Sequence, residues 1–117
     1  MDDSFSLYEL LTNVRNNLKK IQGGFDLYQK ECFEQRTSQF FCLELNGEAG
    51  ELANIEKKEW KGRKISPERF DDEAADVLIA ILNYANARKI DLAEAVACKL
   101  TKIENKRIEM AERGEKY

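Results

Sequence analysis

The sequence predicts an all-α protein, a bundle of four to five helices that oligomerisation completes. Apolar residues recur at helical spacing in successive stretches, and no stretch shows the strict alternation of a half-buried strand. The one proline, Pro67, stands where a helix is expected to begin. A chain of 117 residues with 35% charged residues fits one small domain, and a second copy would enlarge its modest core.

The N-terminal part of the chain predicts two helices. Ser4 is placed to cap the first, over about 5–21, and the glycine pair at 23–24 to end it. We interpret this first helix as a packing or dimerisation element. A second helix is expected over about 26–35, and the Thr-Ser pair at 37–38 offers two possible caps for the helix that follows.

The central and C-terminal parts predict three further helices. A long helix is expected over about 38–61, with Gly62 as its stop. Ser66 and Pro67 give the cap and first turn of the next helix, which extends to about Arg88. Asp91 can cap a last helix that ends near 110.

Two acidic pairs lie on consecutive helices of this series. Glu48 and Glu51 are three residues apart, as are Glu73 and Asp76, so each pair lies on one face of its helix. Four carboxylates in two such pairs predict a site for a hard cation, Mg²⁺ or its substitute Mn²⁺.

The position of Glu48 strengthens this prediction. It occupies a core position in the apolar stripe of the long helix, where a carboxylate is costly unless it is paired or bound to a metal. The stripe consists of Phe41, Leu45, Leu52 and Ile55. The two neighbouring glycines, Gly47 and Gly50, suggest the close approach of another helix or of a ligand.

One geometric difficulty accompanies the two pairs. Counted from Gly62 on one side and Pro67 on the other, Glu51 and Glu73 are offset by about five residues, or about 8 Å along a helix. Adjacent helix faces, an uneven linker or an early end of the long helix would each close the offset.

The order of these acids, Glu-x-x-Glu, a gap and Glu-x-x-Asp, resembles the metal motif of the MazG-like nucleotide pyrophosphohydrolases, an all-α family. The stretch 45–53, L-N-G-E-A-G-E-L-A, with two lysines after it, is similar to the family's L-x-G-E-A-G-E-L helix. Tyr-Gln at 28–29 and Arg-Thr at 36–37 are similar to its Y-Q…R-T entry. The resemblance spans about 25–107 of a single domain over 1–117, leaving the helix in 1–24 and the tail 108–117 outside it.

The resemblance implies a Mg²⁺-dependent hydrolase that cleaves a (d)NTP between its α- and β-phosphates, giving (d)NMP and pyrophosphate. The four acids would be its metal ligands and catalytic residues, with Glu44 as a further proton acceptor. The expected assembly is a homo-oligomer, a dimer or a tetramer. The candidate substrate-binding residues are Lys57, Lys58, Trp60, Lys99, Lys102 and Asn105. For each lysine the alternative is a solvated helix face, and for the tryptophan it is a partly buried anchor.

Composition excludes other classes of function. The chain has no histidine, which removes zinc sites built on His and the commonest general base. A net charge of -3 with mixed signs argues against binding a nucleic-acid polymer, and no apolar run is long enough for a membrane span. Cys32, Cys42 and Cys98 are expected to be reduced and buried in a cytoplasmic protein, since no signal peptide is recognisable.

Two rival interpretations remain open. One is an enzyme of the same fold with a narrow substrate range, such as a dimeric dUTPase-like enzyme. The other is a non-catalytic helical adaptor or dimerisation module whose acids are only solvated.

Overall fold

The computed structural model describes residues 5–117, and over that range the protein is all-α, as the sequence predicts, with no strand. The first three helical segments follow one another without a break and form one continuous helix, so the described residues form four helices in all. In the described range no helix has both the length and the apolar character needed to cross a bilayer. The segments are α1 (Leu7–Asn13), a π-helical segment (Val14–Leu18), α2 (Lys19–Cys32), α3 (Ser38–Trp60), α4 (Pro67–Arg88) and α5 (Leu92–Glu112).

The chain divides into two compact units. The first unit combines Met1–Gly23 with Asp91–Tyr117, and the second unit is the continuous stretch Gly24–Ile90. Within the first unit, α5 packs against the π-helical segment. Its N-terminus is tied down there, because the side-chain oxygen Oε1 of Gln22 accepts a hydrogen bond of 3.0 Å from the backbone N–H of Leu92. The single-domain organisation inferred from the chain length stays a prediction.

The N-terminal helices differ from the predicted ones. Helix α1 begins after Ser6, whose hydroxyl accepts a 3.2 Å hydrogen bond from the backbone N–H of Glu9. The predicted cap, Ser4, lies outside the described residues. The predicted break at Gly23 and Gly24 is wrong, since α2 continues through both to Cys32. A glycine ends a helix when it takes the left-handed conformation, and neither of these two has a positive φ.

The second unit is built on a hairpin of α3 and α4, and its ends match the predictions. Thr37 caps α3 through a 3.2 Å hydrogen bond from the backbone N–H of Phe40 to its hydroxyl oxygen. After α3, Gly62 has a φ of 96°, a conformation that suits glycine because it has no Cβ. Pro67 opens α4 at its first turn. The buried side chains of this unit are Phe41, Ile55, Ala80, Leu82 and Ala85.

The packed face of α4 is rotated from the predicted one. The helical spacing of Phe70, Ala74, Val77, Leu78, Ile81 and Leu82 predicts one apolar face, with Glu73 and Asp76 at its edge. Ala74 and Leu78 are nevertheless exposed. Glu73 and Asp76, expected at its edge, are half-buried together with the fully buried Ala80. The packing of α4 on α3 therefore places the acids on the inner side of the hairpin and leaves apolar surface outside.

The cysteines are the other correction. Cys32, Cys42 and Cys98 are all exposed, so the predicted burial is wrong. Cys42 and Cys98 each follow directly after a buried residue, and one residue along a helix turns a side chain by about 100°, away from the packed face. Cys32 is the last residue of α2.

Candidate metal centre

The α3–α4 hairpin brings three acids together. Glu48, Glu73 and Asp76 each offer a carboxylate oxygen, and these atoms lie within 4.8 Å of one another. Glu51 lies beside Glu73, so that all four predicted ligands lie in one area of the second unit. We call Glu48, Glu51, Glu73 and Asp76 the acid cluster.

The register of the hairpin explains this meeting. Glu48 and Asp76 are equidistant from Gly62 in the sequence, and so are Glu51 and Glu73, which places each pair level across two antiparallel helices. Helix α3 continues for nine residues after Glu51, whereas α4 begins only six residues before Glu73. Helix α3 ends two residues before Gly62, which reduces the expected offset from five residues to three, and the linker runs back over the remaining distance of about 4–5 Å at helical rise.

Two oxygen atoms of the acid cluster are buried without a partner. Oε2 of Glu48 and Oε2 of Glu73 are shielded from solvent and accept no hydrogen bond. A buried carboxylate oxygen left in this state is costly unless a cation or a proton compensates it. In residues 5–117 no lysine or arginine forms an ion pair with any of the four acids.

The electrostatics of the cluster favour protons when no cation is present. Loss of solvent contact raises the pKa of Glu48 above its ordinary value, and the charges of Asp76, Glu51 and Glu73 raise it further. The pKa of Glu73 is raised in the same way, first by loss of solvent contact and then by the neighbouring Glu51. A bound cation would reverse both effects, because it stabilises the ionised carboxylates.

The donor set fits a hard divalent cation. Carboxylate oxygens are the ligands that Mg²⁺ and Mn²⁺ prefer, and Mg²⁺ commonly takes only one or two carboxylates and completes its shell with water and phosphate. Glu48, Glu73 and Asp76 offer such oxygens from α3 and α4. The Oε2 atoms of Glu48 and Glu73, which have no hydrogen-bond partner, are shielded from solvent. Glu51 is exposed beside them and can serve as a further ligand or as a proton acceptor.

Glu44 does not join the acid cluster. It is exposed, one turn before Glu48 on α3, and lines a separate pocket of about 330 Å³ with Phe33, Arg36 and Phe40. Its role as a proton acceptor stays a prediction.

A basic cluster follows the acids along α3. Lys57, Lys58, Lys61 and Arg63 line a pocket of about 230 Å³ together with Asn54. None of the four cationic side chains forms an ion pair in the part of the chain that the structure describes. We call these four residues the basic cluster.

The other predicted substrate residues lie elsewhere. Trp60 is 88% exposed and lines a surface groove with Lys57, so it is not a buried anchor within this chain. Lys99, Lys102 and Asn105 are exposed on α5, which belongs to the first unit. Their contact with a substrate stays a prediction.

Sequence reasoning missed a polar pocket of about 220 Å³ in the second unit. It lies where the end of α2, the start of α3 and the end of α4 contribute to one cleft, and of its lining residues only Gln29 and Arg36 belong to a motif quoted from the sequence. Amides scattered over three helix ends form no local motif, so no sequence signal identifies them. We call it the amide pocket; its polar lining includes Gln29, Gln35, Arg36, Asn83, Asn86 and Lys89.

Comparisons of the chain with protein-family models, with curated proteins and with solved structures found no match.

Proposed function

We propose that the chain is a Mg²⁺-dependent nucleoside triphosphate pyrophosphohydrolase. The observation that carries this proposal is the pair of buried, unpartnered oxygens on Glu48 and Glu73, which lie with Asp76 in one acid cluster. A helical protein gains no stability from such an arrangement unless a cation enters it, so the cluster is better explained by binding than by folding.

The acids would hold the cation, and the chain would position the substrate around it. Glu48, Glu73 and Asp76 would supply oxygens that lie within 4.8 Å of one another, with Glu51 beside them. A divalent ion held by these residues would offset the charge of the phosphates and make a water molecule more acidic. Glu51, exposed beside the other acids, would accept the proton that such a water loses.

The reaction consumes one water and breaks one phosphoric anhydride bond. The water oxygen bonds to the α-phosphorus, and the bridging oxygen between the α- and β-phosphates leaves with pyrophosphate. The products are a nucleoside monophosphate and pyrophosphate. The choice of the α–β bond follows from the resemblance to the MazG-like enzymes, whereas the acid cluster supports metal-assisted phosphate chemistry in general.

The basic cluster supports a phosphate-bearing substrate. Lys58 follows Glu51 by seven residues, which is nearly two helical turns, and therefore lies on the same face of α3 about 10 Å further along. Lys61 and Arg63 lie close by in the same pocket. Unpaired cations at this distance from a metal site suit the outer phosphates of a triphosphate.

A product analysis tests the proposal. The protein is incubated with the common dNTPs and NTPs in Mg²⁺, in Mn²⁺ or in EDTA, and monophosphate and pyrophosphate are quantified. Reaction in ¹⁸O-labelled water locates the attack, because attack at the α-phosphorus puts the label into the monophosphate. Turnover restricted to dUTP would support the narrow dUTPase-like enzyme.

The matched control is Glu48→Gln, which keeps the shape of the side chain and removes its charge. We expect no turnover in EDTA and a loss of orders of magnitude in this variant. If no triphosphate is hydrolysed in either metal, or if the variant is as fast as the parent, the adaptor interpretation replaces the proposal.

A further inference from the structure

We propose that the α3–α4 hairpin fixes the direction in which the nucleotide binds, with the base in the amide pocket and the outer phosphates at the basic cluster. This inference rests on the proposed function, because it assigns a direction to a substrate bound at the acid cluster. It also assigns recognition of the base to a particular part of the protein, the amide pocket.

The three sites follow one another along a single hairpin. Asn83 comes seven residues after Asp76 on α4, so it lies on nearly the same face about 10 Å further along. Lys58 comes seven residues after Glu51 on α3, again on nearly the same face. Since the two helices are antiparallel, these steps lead in opposite directions from the acids. The amide pocket and the basic cluster therefore flank the acid cluster on opposite sides.

The lining of the amide pocket suits a single flat, polar ring. Its volume of about 220 Å³ lies below the roughly 300–1,000 Å³ typical of pockets for drug-sized ligands. Phe41, which is 4% exposed, and Ala87 contribute apolar surface. Asn83 and Gln35 contribute side-chain amides, each able to donate and accept. Donors and acceptors around an apolar surface are what recognises the edge and face of a nucleobase.

The charges of the amide pocket and of the basic cluster indicate which part of the nucleotide each of them binds. In the amide pocket, the Lys30 side chain is 2.8 Å from a carboxylate oxygen of Asp26. Arg36 is 3.1 Å from Glu34, and its guanidinium lies over the ring of Phe40. Two of the pocket's three cations are thus already neutralised, whereas the four cations of the basic cluster carry no ion pair. The triphosphate is attracted to the basic cluster, and the uncharged base is left for the amide pocket.

One residue, Trp60, favours the opposite direction of binding, in which the base lies near the basic cluster. An exposed aromatic ring near the basic cluster could stack on a base. However, the groove that Trp60 lines also contains Glu56 and Glu59, whose charges repel a nucleotide's phosphates. In the amide pocket the acid Asp26 is paired with Lys30, so its repulsion of phosphates is offset and the pocket still offers hydrogen bonds to the base. Trp60 therefore serves as the rival to be tested.

Steady-state kinetics of three variants test the direction. Asn83→Ala, Lys58→Ala and Trp60→Ala are compared with the parent on the dNTPs, on the corresponding dNDPs and on inorganic tripolyphosphate, which has no base. Gln39→Ala is the matched control, because Gln39 is an exposed amide on α3 that lines none of the three sites.

For Asn83→Ala we expect KM for the preferred dNTP to rise about tenfold, with the preference among bases reduced and the kinetics on tripolyphosphate unchanged. For Lys58→Ala we expect the advantage of dNTP over dNDP to shrink while the base preference stays. Gln39→Ala should resemble the parent, and Trp60→Ala should keep the parent's preference among bases. Circular dichroism checks folding, and Gln35→Ala, on the exposed rim of the pocket, replaces Asn83→Ala if that variant does not fold.

The outcomes separate the two proposals. If the parent hydrolyses dNTPs but base preference is lost in Trp60→Ala and kept in Asn83→Ala, the direction is reversed and this inference is wrong while the proposed function stands. If the amide variants and Trp60→Ala all keep the base preference, the base is read elsewhere and the inference is also wrong. A parent that hydrolyses no triphosphate removes both proposals together.

Discussion

Glu48 on α3 and Asp76 on α4 bring their carboxylate oxygens within 4.8 Å of each other across the hairpin, with no lysine or arginine of the described residues paired to either. The two helices can pack in this register only by holding like charges together. The folded protein therefore holds mutually repelling carboxylates, and a divalent cation bound there would relieve this repulsion and so link metal binding to stability.

Mg²⁺ is expected to raise the melting temperature of the parent protein, because the folded state binds the ion and the unfolded chain does not gather the acids. Glu48→Gln and Asp76→Asn reduce the repulsion, so each should be at least as stable as the parent in EDTA but gain little from Mg²⁺. Thermal unfolding followed by circular dichroism, in EDTA and over a Mg²⁺ titration, measures both effects.

Asp71→Asn is the matched control for this measurement. Asp71 is exposed on the same helix, two residues before Glu73 and about 200° away from it around the axis. This variant should keep the full shift produced by Mg²⁺. A cluster variant that also keeps it would remove its acid from the set of ligands.

In the absence of metal, stability should fall as the pH rises. The folded-state pKa values of Glu48 and Glu73 lie above the ordinary value of 4.5, so the folded protein binds more protons than the unfolded chain between pH 4.5 and the raised values. The free energy of unfolding therefore decreases through that window, and the penalty is absent below it. Urea titrations in EDTA at several pH values measure the effect.

The double variant Glu48→Gln/Glu73→Gln is the comparison for the pH series. It cannot take up these two protons, so the stability advantage of this variant over the parent should widen as the pH rises. A constant difference between the two proteins across the series would show that the two glutamates do not titrate as proposed.

The rate of pyrophosphate release should depend on which acid is changed, although all of these acids lie in helices. Amide variants at Glu48, Glu51, Glu73 and Asp76 should each lower pyrophosphate release by orders of magnitude, since the site loses its cation. Asp71→Asn should change it by only a few-fold. If Glu48→Gln and Glu73→Gln both react at the parent rate, the acids are structural.

Gly47 and Gly62 should respond in opposite directions to alanine. Gly47 is helical, and no described atom lies within 4 Å of the position that a Cβ would take, so alanine should stabilise the fold by up to about 1 kcal/mol. Gly62 has a φ of 96°, so alanine there should destabilise it. Urea unfolding measures both changes. A Gly47→Ala variant that is more stable but less active would indicate that a ligand or a partner copy approaches this glycine.

A homo-oligomer, dimer or tetramer, is expected in solution. Leu43 is 74% exposed on α3 and Leu78 is 57% exposed on α4, while the large side chains buried among residues 5–117 are Phe41, Ile55 and Leu82. Light scattering at micromolar concentration measures the mass of the parent and of Leu43→Glu and Leu78→Glu, whose charges should weaken association. A stable, active monomeric parent would contradict the expectation.

The parts of the fold that the sequence predicts well are those with local causes. Pro67 and Gly62 define helix ends through backbone conformation alone, and Asp91 caps α5 through a 3.2 Å hydrogen bond from the backbone N–H of Glu94. The continuation of α2 through Gly23 and Gly24 has no such local cause. Two helix-weakening residues look like a stop in the sequence, and the structure shows that they keep helical φ values.

The candidate site divides in the same way. The spacing within each acidic pair is a property of one helix, so it can be read in the sequence. Whether the two acidic pairs lie at the same height along the hairpin depends on the path of the linker after α3. The rotation of α4 that exposes Leu78 depends on its packing with α3. The amide pocket depends on three helix ends meeting in space. Contacts of this kind are set by tertiary structure, so they cannot be predicted from local periodicity in the sequence.

The division of the chain has a consequence for the order of synthesis. The second unit is one uninterrupted stretch, so α3 and α4 can pair while α5 is still inside the ribosome. The first unit needs both of its distant pieces, and the bond between Gln22 and Leu92 cannot form until the chain beyond α4 has emerged. Vectorial folding therefore completes the acid cluster early, whereas the π-helical segment cannot pack on α5 until that helix has emerged.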